Sequence, residues 1–298
     1  MEYRSVKITD AGEWGVSERS VRNYCAQGRV PGAVRIGKTW HIPYNATKPT
    51  RSNARQGRTL HRVLREEKDA GIHGGIYHRL QVDMAYNSNH IEGSTLTHDQ
   101  TRHIFETSTV GLATDEVLRV DDIIEAANHF RAFDQVVDCA HARITTHLVK
   151  RLHRTLKQGT SDAAKDWFRV GDWKAYPNEV GGRKTVDPKD VDARIRELVA
   201  AYEAKADHEL DDLLDFHVRF ERIHPFQDGN GRVGRLLLLK ECLRWNIVPF
   251  IIGEDLKLFY YRGIARWNQE RGWLRDTCLT VQDVMREVLE GFRIDMAD

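Results

Sequence analysis

The sequence predicts a mainly helical protein with one β-hairpin in its body and a small helix–turn–helix–hairpin module ahead of it. Three observations carry this. From Thr59 onward, apolar residues recur three and four apart, the spacing of one helix face. Only the stretch near 168–186 collects β-formers, around Gly181-Gly182. The first 48 residues instead read as two short helices followed by a tight hairpin.

Within residues 1–48, Ile8 to Trp14 suits a short helix with Thr9 as its cap, broken by Gly15. Ser17 caps a second helix, Glu18 to Gln27, which Gly28 ends. Val34-Arg35-Ile36 and Thr39-Trp40-His41-Ile42 flank Gly37-Lys38, a hairpin signal. Residues 49–58 are polar and contain Pro49, Ser52 and Gly57, which suits a linker. The body, residues 59–298, offers helices over 59–70, 76–92, 98–107, 120–138, 144–157, 188–206, 210–223, 232–246, 255–271 and 280–292.

Composition narrows the function classes. No apolar run approaches the roughly 18 residues of a membrane helix, so no membrane partner is expected. Met1-Glu2-Tyr3-Arg4 lacks the layout of a signal peptide. The four cysteines (Cys25, Cys139, Cys242, Cys278) form no CxxC pair, which argues against a zinc site and suits a cytoplasmic location. The net charge of +1 hides an asymmetry: residues 1–68 hold 14 Lys/Arg and 6 Asp/Glu, a net of +8. The basic end could meet nucleic acid.

The module from Ile8 to Pro43, with its capped second helix, its Gly-Arg-Val-Pro-Gly link and its Trp-x-Ile-Pro hairpin end, resembles the winged helix-turn-helix of excisionase and MerR-type regulators. That resemblance implies DNA contacts from Ser17, Arg19, Arg22, Arg35 and Lys38, and makes a homodimer plausible. The other reading is a basic accessory domain that packs on the body or binds protein.

The chemistry concentrates in His224-Pro225-Phe226-Gln227-Asp228-Gly229-Asn230-Gly231-Arg232-Val233-Gly234-Arg235. Pro225 disfavours helix at His224 and so stops the helix before it, while Leu236-Leu237-Leu238-Leu239 opens a buried helix after it. Gly229 and Gly231 allow backbone N–H groups to face inward at a helix N-terminus, an anion cradle. Arg232 and Arg235, three apart, share a face and can hold a polyphosphate. Asp228 is a hard oxygen ligand suited to magnesium, His224 a base near neutrality, and Phe226 an apolar anchor. Alone, Asp-Gly-Asn-Gly is a surface turn. The base, carboxylate, glycines and arginine pair together are far more specific.

This segment matches the Fic family signature, HPFx[D/E]GNGRxxR, and the chain is identified by it as resembling that family over roughly residues 59–298. The resemblance implies an all-α Fic fold and transfer of AMP from ATP to a Tyr, Thr or Ser hydroxyl of a target protein. His224 would deprotonate the hydroxyl, and Asp228 would hold Mg2+ (or Mn2+). Gly229, Asn230 and Gly231 would cradle the phosphates, Asn230 stabilising charge on the transferred one. Arg232 and Arg235 would hold the polyphosphate and its γ-phosphate. Residues 171–186 would be the family's flap, with Val180, Gly181 and Gly182 at its turn, to which a target could add as a strand. Tyr260, Tyr261 and Asn268 would surround adenine and ribose, although aromatics at helical spacing are more often core.

Ser88-Asn89-His90-Ile91-Glu92-Gly93 places Ser88 and Glu92 on one helix face, which Gly93 can end. Thr97-His98-Asp99-Gln100 resembles a capping box for the next helix. Ser88 to Gly93 matches the family's inhibitory motif, [S/T]xxxE[G/N]. The match implies an ion pair from Glu92 to Arg235 that repels the γ-phosphate, with Ser88 positioning it. Two alternatives remain at this point: a deAMPylating or other nucleotidyl- or phosphoryl-transfer enzyme, or a DNA-binding regulator with a nucleotide-sensing core. His129, His153 and His217 read as structural or exposed.

Overall fold

A computed structural model describes residues 3–5, 14, 21–22, 25, 30–37, 39–47, 59–111, 117–294 and 296. The chain divides into two compact units, residues 1–57 and 58–298.

In the first unit, β1 (Tyr3–Ser5), β2 (Val34–Ile36) and β3 (Thr39–Pro43) form an antiparallel sheet in the order β1-β3-β2. The expected hairpin is present, with Arg35 opposite Trp40, but β1 makes it a three-stranded sheet. No local pattern in three residues could have announced that strand; the free edge of β3 pairs it. Trp14, Val21, Cys25, Val30 and Ile42 form a small core. Trp14, Val21, Arg22 and Cys25 have helical backbone. Thr9, Ser17, Arg19, Lys38 and the linker over 49–58 lie outside the described residues.

In the second unit the helices are α1 (Leu60–Ala70), α2 (Ile76–Ile91), α3 (His98–Thr107), α4 (Val120–Asp138), α5 (Thr146–Lys157), α6 (Val191–Glu203), α7 (Leu210–Ile223), α8 (Asn230–Trp245), α9 (Lys257–Arg266) and α10 (Gly272–Gly291). A short hairpin, β4 (Glu179–Val180) with β5 (Arg183–Lys184), lies between α5 and α6. Local signals set many boundaries. The side chain of Thr59 accepts from Arg62 N at the start of α1, and Gly71 ends it with φ 62°. Thr97 and Gln100 make the expected capping box on α3. Helix α7 carries Asp211 and Asp212 in its first turn, where they oppose the positive end of its dipole.

Helix α8 is the axis of the body. It is buried on nearly every face from Asn230 to Leu243, and α1, α2, α4, α5 and α7 pack around it. A helix this buried can lose its polar stripe, as Leu236 to Leu239 do.

The single hairpin expected near 168–186 is present, with its strands at 179–180 and 183–184. Phe168 and Trp173 are buried against the body instead of pairing in a ladder, and the Trp173 indole donates to Asp192. The helix placed at 255–271 is shorter, Lys257–Arg266 after a 3-10 turn. The last helix begins at Gly272, not near 280, because Leu274 and Cys278 are buried on its first turns and outweigh the glycine.

Candidate active site

Helix α7 ends where Pro225 requires. His224 is its C-cap in the left-handed region, φ 52° and ψ 64°, and its N–H donates to Phe220 O at 3.0 Å. An L-residue here costs strain that the surrounding loop must hold. The loop does so in several ways. The Asn230 side chain accepts from Phe226 N at 2.8 Å and donates to Phe226 O at 2.9 Å. Phe226 is fully buried and stacks on the His153 ring, with centroids 3.9 Å apart. His153 Nδ1 accepts from Gly171 N at 2.9 Å, so its proton is assigned to Nε2, which donates to Asp228 O at 3.2 Å.

Burial, opposed by a backbone interaction with Glu221, pushes the His224 imidazole down to about 4, helped by the Lys174 charge. The ring is therefore neutral at physiological pH, the form that accepts a proton. Its Nδ1 is buried with no hydrogen-bond partner among the described residues.

Gly229 has φ 80° and is the N-cap of α8. Helix geometry leaves the first N–H groups of α8 without intrahelical partners, an anion site. The Asn230 side chain braces the loop, since one N–H of its amide donates to Phe226 O and its carbonyl accepts from Phe226 N.

Asp228 and Arg232 sit on one side of this turn. Asp228 Oδ2 accepts from Lys157 Nζ at 2.7 Å and from Arg232 Nη2 at 2.9 Å. Glu125 pairs with both cations, with Lys157 at 2.6 Å and with Arg232 Nη1. Burial alone would raise the Asp228 carboxyl, but the Arg232 and Lys157 charges outweigh it and hold the group well below the usual carboxylate range. Among the described residues no three His, Cys, Asp or Glu side chains converge to hold an ion. Asp228 alone suits a magnesium ion brought in with phosphates, which takes one or two carboxylates and fills its shell with phosphate oxygens and water.

Arg235 sits on the other side. Its Nε donates to Ser88 Oγ at 2.9 Å, and its Nη2 donates to Ser88 O at 2.8 Å and Glu92 Oε1 at 2.7 Å. Glu92 caps α2 before Gly93 turns the chain with φ 96°. A methyl group on Gly231 would push against Glu92 Oε1 and Arg235 Nη1, so this pair closes directly over the glycine. Arg235 Nη1 and Arg232 Nε are buried with no hydrogen-bond partner among the described residues. Glu221 lies near the same guanidinium, and burial pushes its carboxyl up to about 8.

The hairpin turns at Gly181 and Gly182, φ 56° and 72°, the left-handed pair that a two-residue turn favours. Val180 at its edge is exposed. Of the expected base-pocket residues, Tyr260 lines a cavity with Ser88 and Arg235 and Tyr261 lies near Arg235 and Glu92, while Asn268 stands apart. Tyr260 is 1% exposed, within hydrogen-bond distance of His217 Nε2 at 2.5 Å, and faces the core. Tyr261 is partly exposed, while Asn268 lies beyond α9 and accepts from Arg222 Nη1 at 2.9 Å. The apolar face of α9 takes Tyr260 inward, and nothing turns Asn268 towards it.

Sequence reasoning misses four site-shaping residues: Glu125, His153, Lys157 and Lys174. Of these, only His153 stands out in the sequence, and there as a structural residue. His153 and Lys157 share α5, four apart, which is the only sequence trace that they act on one loop.

Residues 143–242 match the model of the Fic/DOC family. The chain is 27% identical over 213 residues to protein adenylyltransferase Fic of Drosophila mojavensis, covering 69% of this chain and 40% of that protein. The same-named protein of Drosophila melanogaster is 28% identical over 213 residues, with the same shares. The chain thus spans about two-fifths of the length of these relatives. Among solved structures, a Fic domain containing signaling protein from Bacteroides thetaiotaomicron matches with a TM-score of 0.62 at 22% identity, covering 73% of this chain and 87% of that one. Fic-1 from C. elegans matches with a TM-score of 0.57 at 20% identity, covering 79% of this chain and 72% of that one. These neighbours share the fold.

Proposed function

We propose that this chain is a protein adenylyltransferase held in check by its own Glu92. The observation that carries the reading is the convergence of a neutral, half-buried His224 with the N-terminus of α8 and two arginines that keep unmet donors. Buried donors without partners call for acceptors, and phosphate oxygens supply them.

In this reading His224 takes the proton from a Tyr, Thr or Ser hydroxyl. The oxygen attacks the α-phosphorus of ATP, the bond to the β-phosphate oxygen breaks, and pyrophosphate leaves. Backbone N–H groups at the start of α8 and Arg232 meet the charge that develops. Mg2+ or Mn2+ beside Asp228 would supply further neutralisation of the phosphates. Glu92 occupies Arg235 and repels a γ-phosphate, so ATP would enter unproductively until Glu92 moves. Tyr261 is the remaining candidate beside the base.

The basic first unit is proposed as a winged helix-turn-helix that binds DNA, which the sheet with its exposed Arg35 supports. A cytoplasmic location and a homodimer belong to the same proposal. Among the described residues no helix is long and apolar enough to cross a membrane.

The test is intact-mass analysis after incubation with ATP-Mg and cell lysate, using wild type, Glu92→Gly and His224→Ala. An adenylyl adduct should accumulate with Glu92→Gly and vanish when His224→Ala is added. No adduct with Glu92→Gly would sink the reading.

A further inference from the structure

The stem of the hairpin is tied to the His224 loop by a set of bonds that no signature describes. Lys174 N donates to Pro225 O at 2.8 Å. Lys174 Nζ, 2% exposed as a residue, donates to Asn178 Oδ1 at 2.8 Å and Thr185 Oγ1 at 2.5 Å. These partners stand on the two opposite sides of the hairpin, one before β4 and one after β5. Thr185 Oγ1 in turn lies 2.6 Å from Asn178 Oδ1, and Thr185 N donates to Asn178 O at 3.3 Å. The Asn178 amide is then left to donate to Phe226 O at 3.1 Å. Phe226 O is the same carbonyl that takes the Asn230 amide. One carbonyl therefore receives the hairpin stem and the start of α8 together.

The chemistry is unusual for packing alone. Both acceptors of the buried ammonium are neutral oxygens, and no carboxylate among the described residues bonds to it. Burying a cation on such terms costs free energy that a methionine would not cost. Burial pushes the amine down to about 8, with Asp187 opposing. The cost is intelligible if the amine holds two sides of a weak hairpin. With two residues per strand, β4 and β5 cannot hold their own register.

We propose that Lys174, Asn178 and Thr185 form a clasp that fixes the hairpin against the Phe226 carbonyl, and that they are positioning residues for the acceptor segment. This rests on the adenylyltransferase reading for the identity of the acceptor, but not for the clasp itself. A segment adding to the hairpin edge would lie in a register that the clasp sets relative to His224.

Hydrogen exchange of the full chain without substrate tests the clasp, reading the amides of Lys174 and Thr185. Lys174→Met and Thr185→Val should each speed exchange at Thr185 about tenfold, and the double variant should do little more, since both remove one linked set of bonds. Thr185→Val keeps the test open should Lys174→Met fail to fold. On the Glu92→Gly background, both should raise KM for the acceptor protein about tenfold and leave KM for ATP-Mg unchanged. Unchanged exchange in Thr185→Val overturns the clasp. A parallel rise in both KM values overturns the positioning role. Faster exchange with no transfer by any variant would leave the clasp standing and instead refute adenylyl transfer.

Discussion

The two arginines of the motif lie nearly one turn apart on α8, and their surroundings differ in kind. Arg232 is enclosed by Asp228 and Glu125, and Lys157, itself 2% exposed, closes the ring. Arg235 is held by Ser88 and by one carboxylate, Glu92, which stays 27% exposed at the end of α2. The first set is a network in which each charge has more than one partner, built on cations that are buried while Asp228 is open at its rim. The second depends on a single carboxylate that a phosphate could replace. Removing a charge should therefore damage the first end and release the second.

The largest effect is expected from Glu92→Gly, which should raise adenylyl transfer about 10- to 100-fold, the scale of a typical coupling free energy of about 1–3 kcal/mol. Initial rates with a target protein measure it, and an unchanged rate would remove the distinction between the ends. Glu125→Gln should do the opposite. It strips both Lys157 and Arg232 of a partner, and denaturant unfolding should report a loss of about 3 kcal/mol with no activation. Activation there would mean that the two ends act alike.

Acid should weaken both ends together. Burial pushes His129, His153 and His217 down to about 3 and His224 to about 4, from an ordinary 6.5. As pH falls below 6.5 the unfolded chain binds protons that the folded chain refuses. Stability is then lost at up to about 1.4 kcal/mol per histidine per pH unit, until the folded groups titrate near 3 to 4. Glu221 acts in the other direction, since its raised carboxyl favours the fold below its ordinary 4.5 and loses that contribution as pH rises through about 8. Thermal melts between pH 7 and 4 should show the net decline, and a flat profile would contradict the burial of these rings. The smallest effect is Ser88→Ala. It removes the acceptor of Arg235 Nε, worth about 1–2 kcal/mol, but leaves the Ser88 carbonyl bond, so transfer should rise only a few-fold.

What was legible in the sequence followed locality. The His224 loop is contiguous, so its turn, its glycines and the helix it opens could be read from spacing. Ser88 and Glu92 are four apart, so their shared face was legible, and their meeting with Arg235 came from the family resemblance. Lys157 and Asp228 are 71 residues apart, and no periodicity links them. Lys174 was hidden in a different way, because a lysine beside a hairpin normally faces water. The β-formers of 168–173 stay outside the hairpin because burial against the body satisfies them without a ladder. Tyr260 fell to the core for the same reason that made it ambiguous: its helix needs an apolar face.

The most direct measurement compares ATP labelled at the α-phosphate with ATP labelled at the γ-phosphate, using Glu92→Gly with magnesium and a target protein. The α label should appear on protein, require His224 and be weaker in wild type, while the γ label should leave as pyrophosphate. Transfer of the γ label, or α-label transfer that survives His224→Ala, would contradict the account.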